Sequence, residues 1–274
     1  MLSIQRVLHG TTDLSAAVND YRAATAAFAY TTGGYLYVAS EAPFNALFFD
    51  IGSANAAVAA LTVELWWSNG WYAAVDVVDE TKVGSASLGQ SGRVTFSPNR
   101  LYGWQIEADS ANVTGLSSTA IYDMYWARLS WSANLTGSTT LKYVGQKFAS
   151  DTELSSFYPE LSNAALMESF EAGKTSWDEQ HFMAAEFIAR DLIARKVIAS
   201  RAALLDWSRL TEAACHKAAE IIYRPFGDAY ETRRAAAARD YKAAMNGDFF
   251  RADLNANGRL EPAEKSFSVG WMTR

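Results

Sequence analysis

Glycine and helix-forming residues are sorted to opposite parts of this 274-residue chain, and that sorting limits the fold more than any single motif does. Twelve of the 17 glycines precede residue 150, as do six of the nine tryptophans: Trp66, Trp67, Trp71, Trp104, Trp126 and Trp131. Charge runs the other way, with 8 Lys/Arg and 11 Asp/Glu in residues 1–150 against 16 and 19 in residues 151–274. The later stretch is also rich in Ala, Glu and Arg, which lose little rotamer freedom in a helix. The expected fold class is therefore α+β in two segregated domains, an N-terminal all-β jelly-roll-like sandwich and a C-terminal α-helical bundle. The expected boundaries are 1–33 for an N-terminal arm or short helix, 34–149 for the sandwich, 150–250 for the bundle, and 251–274 for a loop and tail.

The first part reads as short apolar runs cut by turn residues. Tyr35–Ala39 follows Gly33-Gly34, and Ala46–Ile51 stops at Gly52. Leu61–Trp67 and Trp71–Val78 flank Ser68-Asn69-Gly70, where Asn-Gly would supply the positive φ of a tight hairpin. Arg93–Phe96, Ile121–Trp131 and Thr140–Phe148 complete a set of seven or eight strands, the pattern of a sandwich. Residues 107–119 are the least predictable loop. Asp13–Phe28 is alanine-rich, and both a helix and an arm packed on a neighbouring subunit fit it.

In the second part, Ser150 and Glu153 have capping-box spacing, as do Ser176 and Glu179. Helices are expected to about Phe157, over Glu160–Glu171, from Trp177 to about Ser200, over Arg201–Tyr223 and over Phe226–Met245. Pro225 breaks the fourth, because proline has no amide hydrogen and crowds the preceding turn.

Composition excludes several function classes. Half of the residues are apolar and 13% aromatic, unlike a disordered chain. A net charge of −6 lacks the clustered cations that coat nucleic acid. Cys215 is the one cysteine, so no internal disulfide can form. No run of about 18 apolar residues exists. The opening residues lack the apolar core of a signal peptide, so a soluble protein made in a reducing cytoplasm is expected.

The sharpest local motif is Asp253–Glu264. Asp253, Asn255, Asn257, Glu261 and Glu264 put oxygen side chains at loop positions 1, 3, 5, 9 and 12, and Gly258 stands at position 6. Arg259 would offer its backbone carbonyl. That is the oxygen cage of an EF-hand-type calcium loop, and two Asn in place of acids predict weak Ca2+ binding. An Asx-rich turn without metal fits the same residues. No other cofactor is required.

The remaining chemistry-bearing residues do not assemble by spacing. His9, His181 and His216 are far apart, and adjacent Cys215 and His216 on a helix would point about 100° apart. Glu64, Asp76, Asp79 and Glu80 admit a glycosidase reading, although alternation with apolar residues favours a solvated face. Trp66, Trp67, Trp71, Tyr72, Trp104, Tyr122, Tyr125, Trp126 and Trp131 are candidate sugar platforms. Packing in the core or against another subunit is the competing expectation. Adjacent Trp66 and Trp67 must face opposite sides of a strand, so one leaves the inter-sheet core or is covered by a neighbour.

Several stretches resemble tailed-bacteriophage virion proteins: Tyr35–Asn45, Phe48–Asn55, Leu88–Phe96 and Ile121–Ser130. The helical part is similar to head–tail connectors or adaptors. The resemblance implies a structural, non-enzymatic subunit in the neck of the virion, made in the host cytoplasm. It further implies a dodecameric ring of this chain under the portal protein. Tail-proximal connector or tail terminator proteins would lie below, with DNA passing through the channel without specific binding and no membrane involved. Sandwich before bundle departs from the smallest adaptors, which are mostly helical. The tail Ser266–Arg274, with Trp271, could insert into a partner. The alternative is a carbohydrate-binding or decoration module that uses the sandwich.

Overall fold

A computed structural model describes residues 6–19, 26–99, 101–198, 204, 208–247, 249–250 and 267–268. The fold is α+β, with two antiparallel sheets followed by helices, and the chain divides into two units between Gln146 and Lys147.

The first unit contains β1 (Arg6–His9), β2 (Thr12–Asp13), α1 (Ser15–Val18), β3 (Ala26–Ala27), β4 (Leu36–Ser40), β5 (Ala46–Ser53), β6 (Leu61–Trp67), β7 (Gly70–Ala73), β8 (Val75–Asp79), β9 (Gly92–Ser97), β10 (Ile106–Asp109), β11 (Tyr122–Trp131) and β12 (Thr140–Gly145). One sheet runs β2-β1-β4-β11-β6-β7, with β10 also on β11, and the other runs β3-β12-β5-β9-β8. Alternate residues of both sheets share one core: Val38, Val63, Leu65 and Leu129 from the first, and Leu47, Phe49, Val94 and Leu141 from the second. Burial of that alternating set fixes the register, since a one-residue slip would turn it outward.

The run expected as one strand, Trp71–Val78, serves both sheets. Trp66 pairs with Trp71 in the first sheet, and Ala74 still donates its amide to Val63 O at 2.9 Å. Val75 then pairs with Ser97 in the second sheet. The register shifts between Val75 and Val78, where Asp76 takes φ +53°, the mark of a bulge. At the β6–β7 hairpin the positive φ falls on Ser68 (+58°) rather than on the Asn-Gly pair. The opening segment, where an arm or helix was expected, supplies β1, β2, the single turn α1 and β3 to this unit.

The second unit contains α2 (Asp151–Phe157), α3 (Ala164–Phe170), α4 (Asp178–Ala194), α5 (Thr211–Tyr223) and α6 (Glu231–Gly247), with 3-10 turns at Pro159–Ser162, Ser208–Leu210 and Arg224–Tyr230. A strand pair, β13 (Phe249–Phe250) with β14 (Phe267–Ser268), follows. The Ser150–Glu153 capping box forms, with Glu153 Oε2 accepting Ser150 N–H at 2.7 Å. The expected Glu160–Glu171 helix is split, because Asn163 caps α3 by accepting Ala165 N–H at 2.9 Å. Ser176 and Glu179 form no box. Trp177 is the N-cap of α4, and Ser176 Oγ donates instead to Asp178 at 3.0 Å.

Helix α4 ends before Ser200 for a local reason. Lys196 has φ +58°, Val197 N–H returns to Leu192 O at 2.9 Å, and Lys196 N–H returns to Ile193 O at 2.9 Å. Those two bonds make a Schellman stop with lysine where glycine is usual, so no glycine announces it in the sequence. The bundle core joins Leu154, Trp177, Ile188, Leu192, Ala214 and Ile222 among others.

Candidate functional site

A dense group of aromatic and charged side chains lies on the outward face of the first sheet. Register places Trp126 beside Ala39, Trp66 beside Trp71, and Arg128 between Tyr37 and Glu64. Arg128 Nε donates to Glu64 Oε2 at 2.6 Å. Its guanidinium stands 4.0 Å from the Tyr35 ring centre and 4.8 Å from that of Trp71. Such a stack favours arginine over lysine, because a planar cation spreads over ring faces while its fork holds a carboxylate. Burial raises the Tyr37 phenol above its usual pKa, although Arg128 pulls the other way.

The chain covers most of this face itself. After β10, a 3-10 turn (Ser110–Asn112) leads into a strap that fully buries Val113 and Leu116 against Trp66, Trp126 and Tyr37. Trp71 Nε1 donates to Thr114 O at 3.0 Å, and Trp66 Nε1 to Glu107 Oε2 at 3.3 Å. At Gly115 (φ +98°) a Cβ would sit 2.2 Å from the Tyr37 oxygen, so only glycine fits there. Trp66 is thus the tryptophan that leaves the inter-sheet core, and its cover comes from its own chain.

The sugar-platform residues now separate. Trp66, Trp104, Trp126 and Trp131 are buried, and Tyr125 packs against the inter-sheet core. Tyr122 is exposed, Trp71 is tied to the strap, and Trp67 and Tyr72 remain partly exposed. Tyr102, which the sequence did not single out, stacks on Tyr72 with centroids 4.0 Å apart and planes 22° apart. Trp67 lies 5.8 Å from Tyr72 and 5.7 Å from Tyr102.

The carboxylates considered for hydrolysis have separate employment. Glu64 is held by Arg128, and Asp79 Oδ1 accepts from Thr81 N–H at 3.0 Å and from its hydroxyl. Glu80 lies 3.7 Å from Arg93, and Asp76 is exposed on the bulge.

The histidines serve different elements. His9 packs edge-on against Phe28 at 4.9 Å, and burial lowers its pKa. His181 Nε2 lies 2.9 Å from Asp151 Oδ1, and the Asp151 carboxylate also accepts Trp177 N–H at 3.2 Å. One carboxylate therefore ties the start of α2 to the start of α4. Beside it, Asp178 pairs with Lys147. Burial would raise the Asp178 pKa, but the charge and hydrogen bond of Lys147 outweigh it and hold the group below its ordinary value. His216 Nδ1 is 2.8 Å from Tyr158 Oη. Burial first, then Asp240, Cys215 and Glu160, raises that phenol, so Tyr158 is the donor. Burial, with Glu153 and Glu212, pushes the Cys215 thiol up to about 12, which removes its nucleophilic form at neutral pH.

The calcium-loop residues Asp253, Asn255, Asn257, Arg259 and Glu264 lie outside the described residues, as does Trp271. Among the described residues no group of three or more His, Cys, Asp or Glu is arranged to hold a metal ion, and no helix is long and apolar enough to cross a membrane. No family model, curated protein or solved structure matches the chain.

Proposed function

We propose that this chain is a structural subunit of a tailed-phage virion, a head–tail adaptor that forms a ring under the portal and joins capsid to tail around the DNA channel. The observation that carries this reading is the free edge of the second sheet. Among the described residues, β8 pairs with β9 alone in that sheet, and it exposes Val77 and Val78 at 36% and 54%. An unpaired edge with exposed valines is a surface that another chain can cover. The Asp76 bulge interrupts a continuous backbone ladder, so the contact is made by side chains. A head-to-tail contact gives a ring when its rotation closes and a filament when it does not, and the proposal is the closed case.

The strand order supports a jelly roll within a segregated sandwich. The first sheet has seven strands, with β4-β11-β6-β7 on its path, the second has the five strands β3-β12-β5-β9-β8, and the run β7–β8 passes from one to the other at Ala74. Strands β1 and β2 then extend the edge beside β4. The helical unit would dock on the portal, with tail-proximal connectors below.

The test is the mass of the purified chain, alone and with portal, by light scattering and negative-stain microscopy. A closed ring, dodecameric by resemblance, is expected. Val78→Lys should reduce it to single chains with unchanged circular dichroism. A monomer at high concentration with and without portal would overturn the reading.

We also propose weak Ca2+ binding by Asp253, Asn255, Asn257 and Glu264, with the Arg259 carbonyl. Titration calorimetry should give a calcium-dependent heat that Glu264→Ala abolishes, because the residue at position 12 supplies the bidentate ligand. No heat in the unaltered protein rejects the site.

A further inference from the structure

We infer that a ridge carrying Val58, Val77, Val78 and Val83 takes a second copy of this chain, so that the subunit contact is wider than strand β8. The inference rests on the assembly reading and assigns the surface on one side of its contact. Two half-exposed valines cover only a small part of the roughly 800 Å² that a stable contact buries on each partner. A contact at β8 must therefore continue onto the surface beside that strand.

Backbone bonds set what lies there. Past β8, Glu80 N–H donates to Arg93 O at 2.8 Å, and the chain then turns between Val83 and Ala86, which exchange N–H···O bonds at 3.0 and 3.1 Å. Residues 55–59 run along this turn. Ala59 N–H donates to Ser85 O and Ser87 N–H to Ala59 O, both at 3.1 Å, and Asn55 N–H reaches Leu88 O at 2.9 Å. Ala59 and Ala86 pair and are buried, whereas Val58 and Val83 beside them are 70% and 55% exposed. The Val83 side chain lies over Gly89, where a Cβ would come within 2.9 Å of Val83 Cβ. Five residues separate Val78 from Val83, a reach of at most about 18 Å, well inside one contact patch.

The ridge is fixed before anything covers it. Thr81 Oγ1 accepts Leu88 N–H at 2.8 Å, and Asn55 holds Ala57 through both its N–H and its carbonyl. A surface already held in place loses little conformational freedom on association. Valine offers shape and apolar area, so what covers it must be an apolar protein surface. Exposed Asp76, Glu80 and Lys82 border the valines, and an apolar centre with a charged rim is the anatomy of a subunit contact. Continuity with β8 makes the occupant a second copy, because a neighbour seated on Val77 and Val78 reaches Val83 and Val58 on the same edge.

The test uses the full chain and reads accessibility as well as mass. Val58→Lys and Val83→Lys should each raise the concentration at which the ring dissociates by at least about tenfold, because the contact would bury an unpaired ammonium. Leu101→Lys replaces a more exposed side chain (79%) on another loop and should leave the ring unchanged. Maleimide labelling of Val58→Cys should be several times slower in the ring than in single chains made by adding Val78→Lys. Cys215 is fully buried with its thiol pushed up to about 12, so the label reads position 58. A ring that labels at the single-chain rate, or that tolerates both lysines, overturns the inference and leaves the β8 reading standing. Equal loss of the ring in Leu101→Lys also overturns it, since added charge anywhere would then disrupt assembly. A parent that stays monomeric overturns the inference together with that reading. Slow labelling only after portal is added overturns the second copy as occupant and gives the ridge to portal.

Discussion

Asn55→Ala should lower the stability of the sandwich unit by about 3 kcal/mol, the upper range for stranding several buried polar groups at once. Asn55 is 3% exposed and ties together three segments distant in sequence. Its Nδ2 donates to Ala57 O and Ser87 O, both at 2.8 Å. Its Oδ1 accepts Ala57 N–H at 3.0 Å, Thr136 N–H at 2.9 Å and the Thr136 hydroxyl at 3.0 Å. Alanine leaves the backbone groups of Ala57, Ser87 and Thr136 without that partner, and a methyl group cannot replace it. Asn55→Asp should not rescue, because the carboxylate oxygen in place of Nδ2 would face the Ala57 and Ser87 carbonyls without a proton to donate. Urea unfolding followed by tryptophan emission measures both variants. A loss under about 1 kcal/mol in Asn55→Ala would mean that water replaces these bonds at little cost.

Gly115→Ala should open the strap over the outward sheet face and cost about 2 kcal/mol or more, through positive-φ strain added to a steric clash. The added Cβ would meet the Tyr37 oxygen at 2.2 Å and its ring carbon at 3.1 Å. Trp66 and Trp71 would gain solvent, so their emission should shift to the red and acrylamide quenching should rise. Adding Tyr37→Phe removes the nearest atom and should restore part of the loss, a coupling that two independent sites would not give. Unchanged quenching in the single variant would show that the strap yields without releasing the tryptophans.

Alternation of apolar residues pointed to Leu61–Trp67 and Ile121–Trp131 as strands, and both are strands that pair with each other. Ser150 and Glu153 announced their capping box because that motif closes within four residues. Pro225 likewise marked the break after α5. Ser176 and Glu179 had the same spacing and formed no box, because α4 starts one residue later with Trp177 as its N-cap and the Ser176 hydroxyl donates to Asp178. Arg128 gave no signal at all. Its role depends on Tyr35, Trp71 and Glu64 meeting it across four strands. Tyr102 was missed for the same reason, since its partner Tyr72 is 30 positions earlier.

Local pattern alone determined that strands would dominate up to Gly145 and helices from Asp151 to Gly247, because side-chain period and backbone propensity act over a few residues. Three-dimensional pairing decided which tryptophans the chain would hide and which rings it would leave partly exposed. The strap, the crossing at Ala74 and the Trp67–Tyr72–Tyr102 group each depend on residues far apart in the chain. Such contacts are fixed only when the sheets close and exclude water between them.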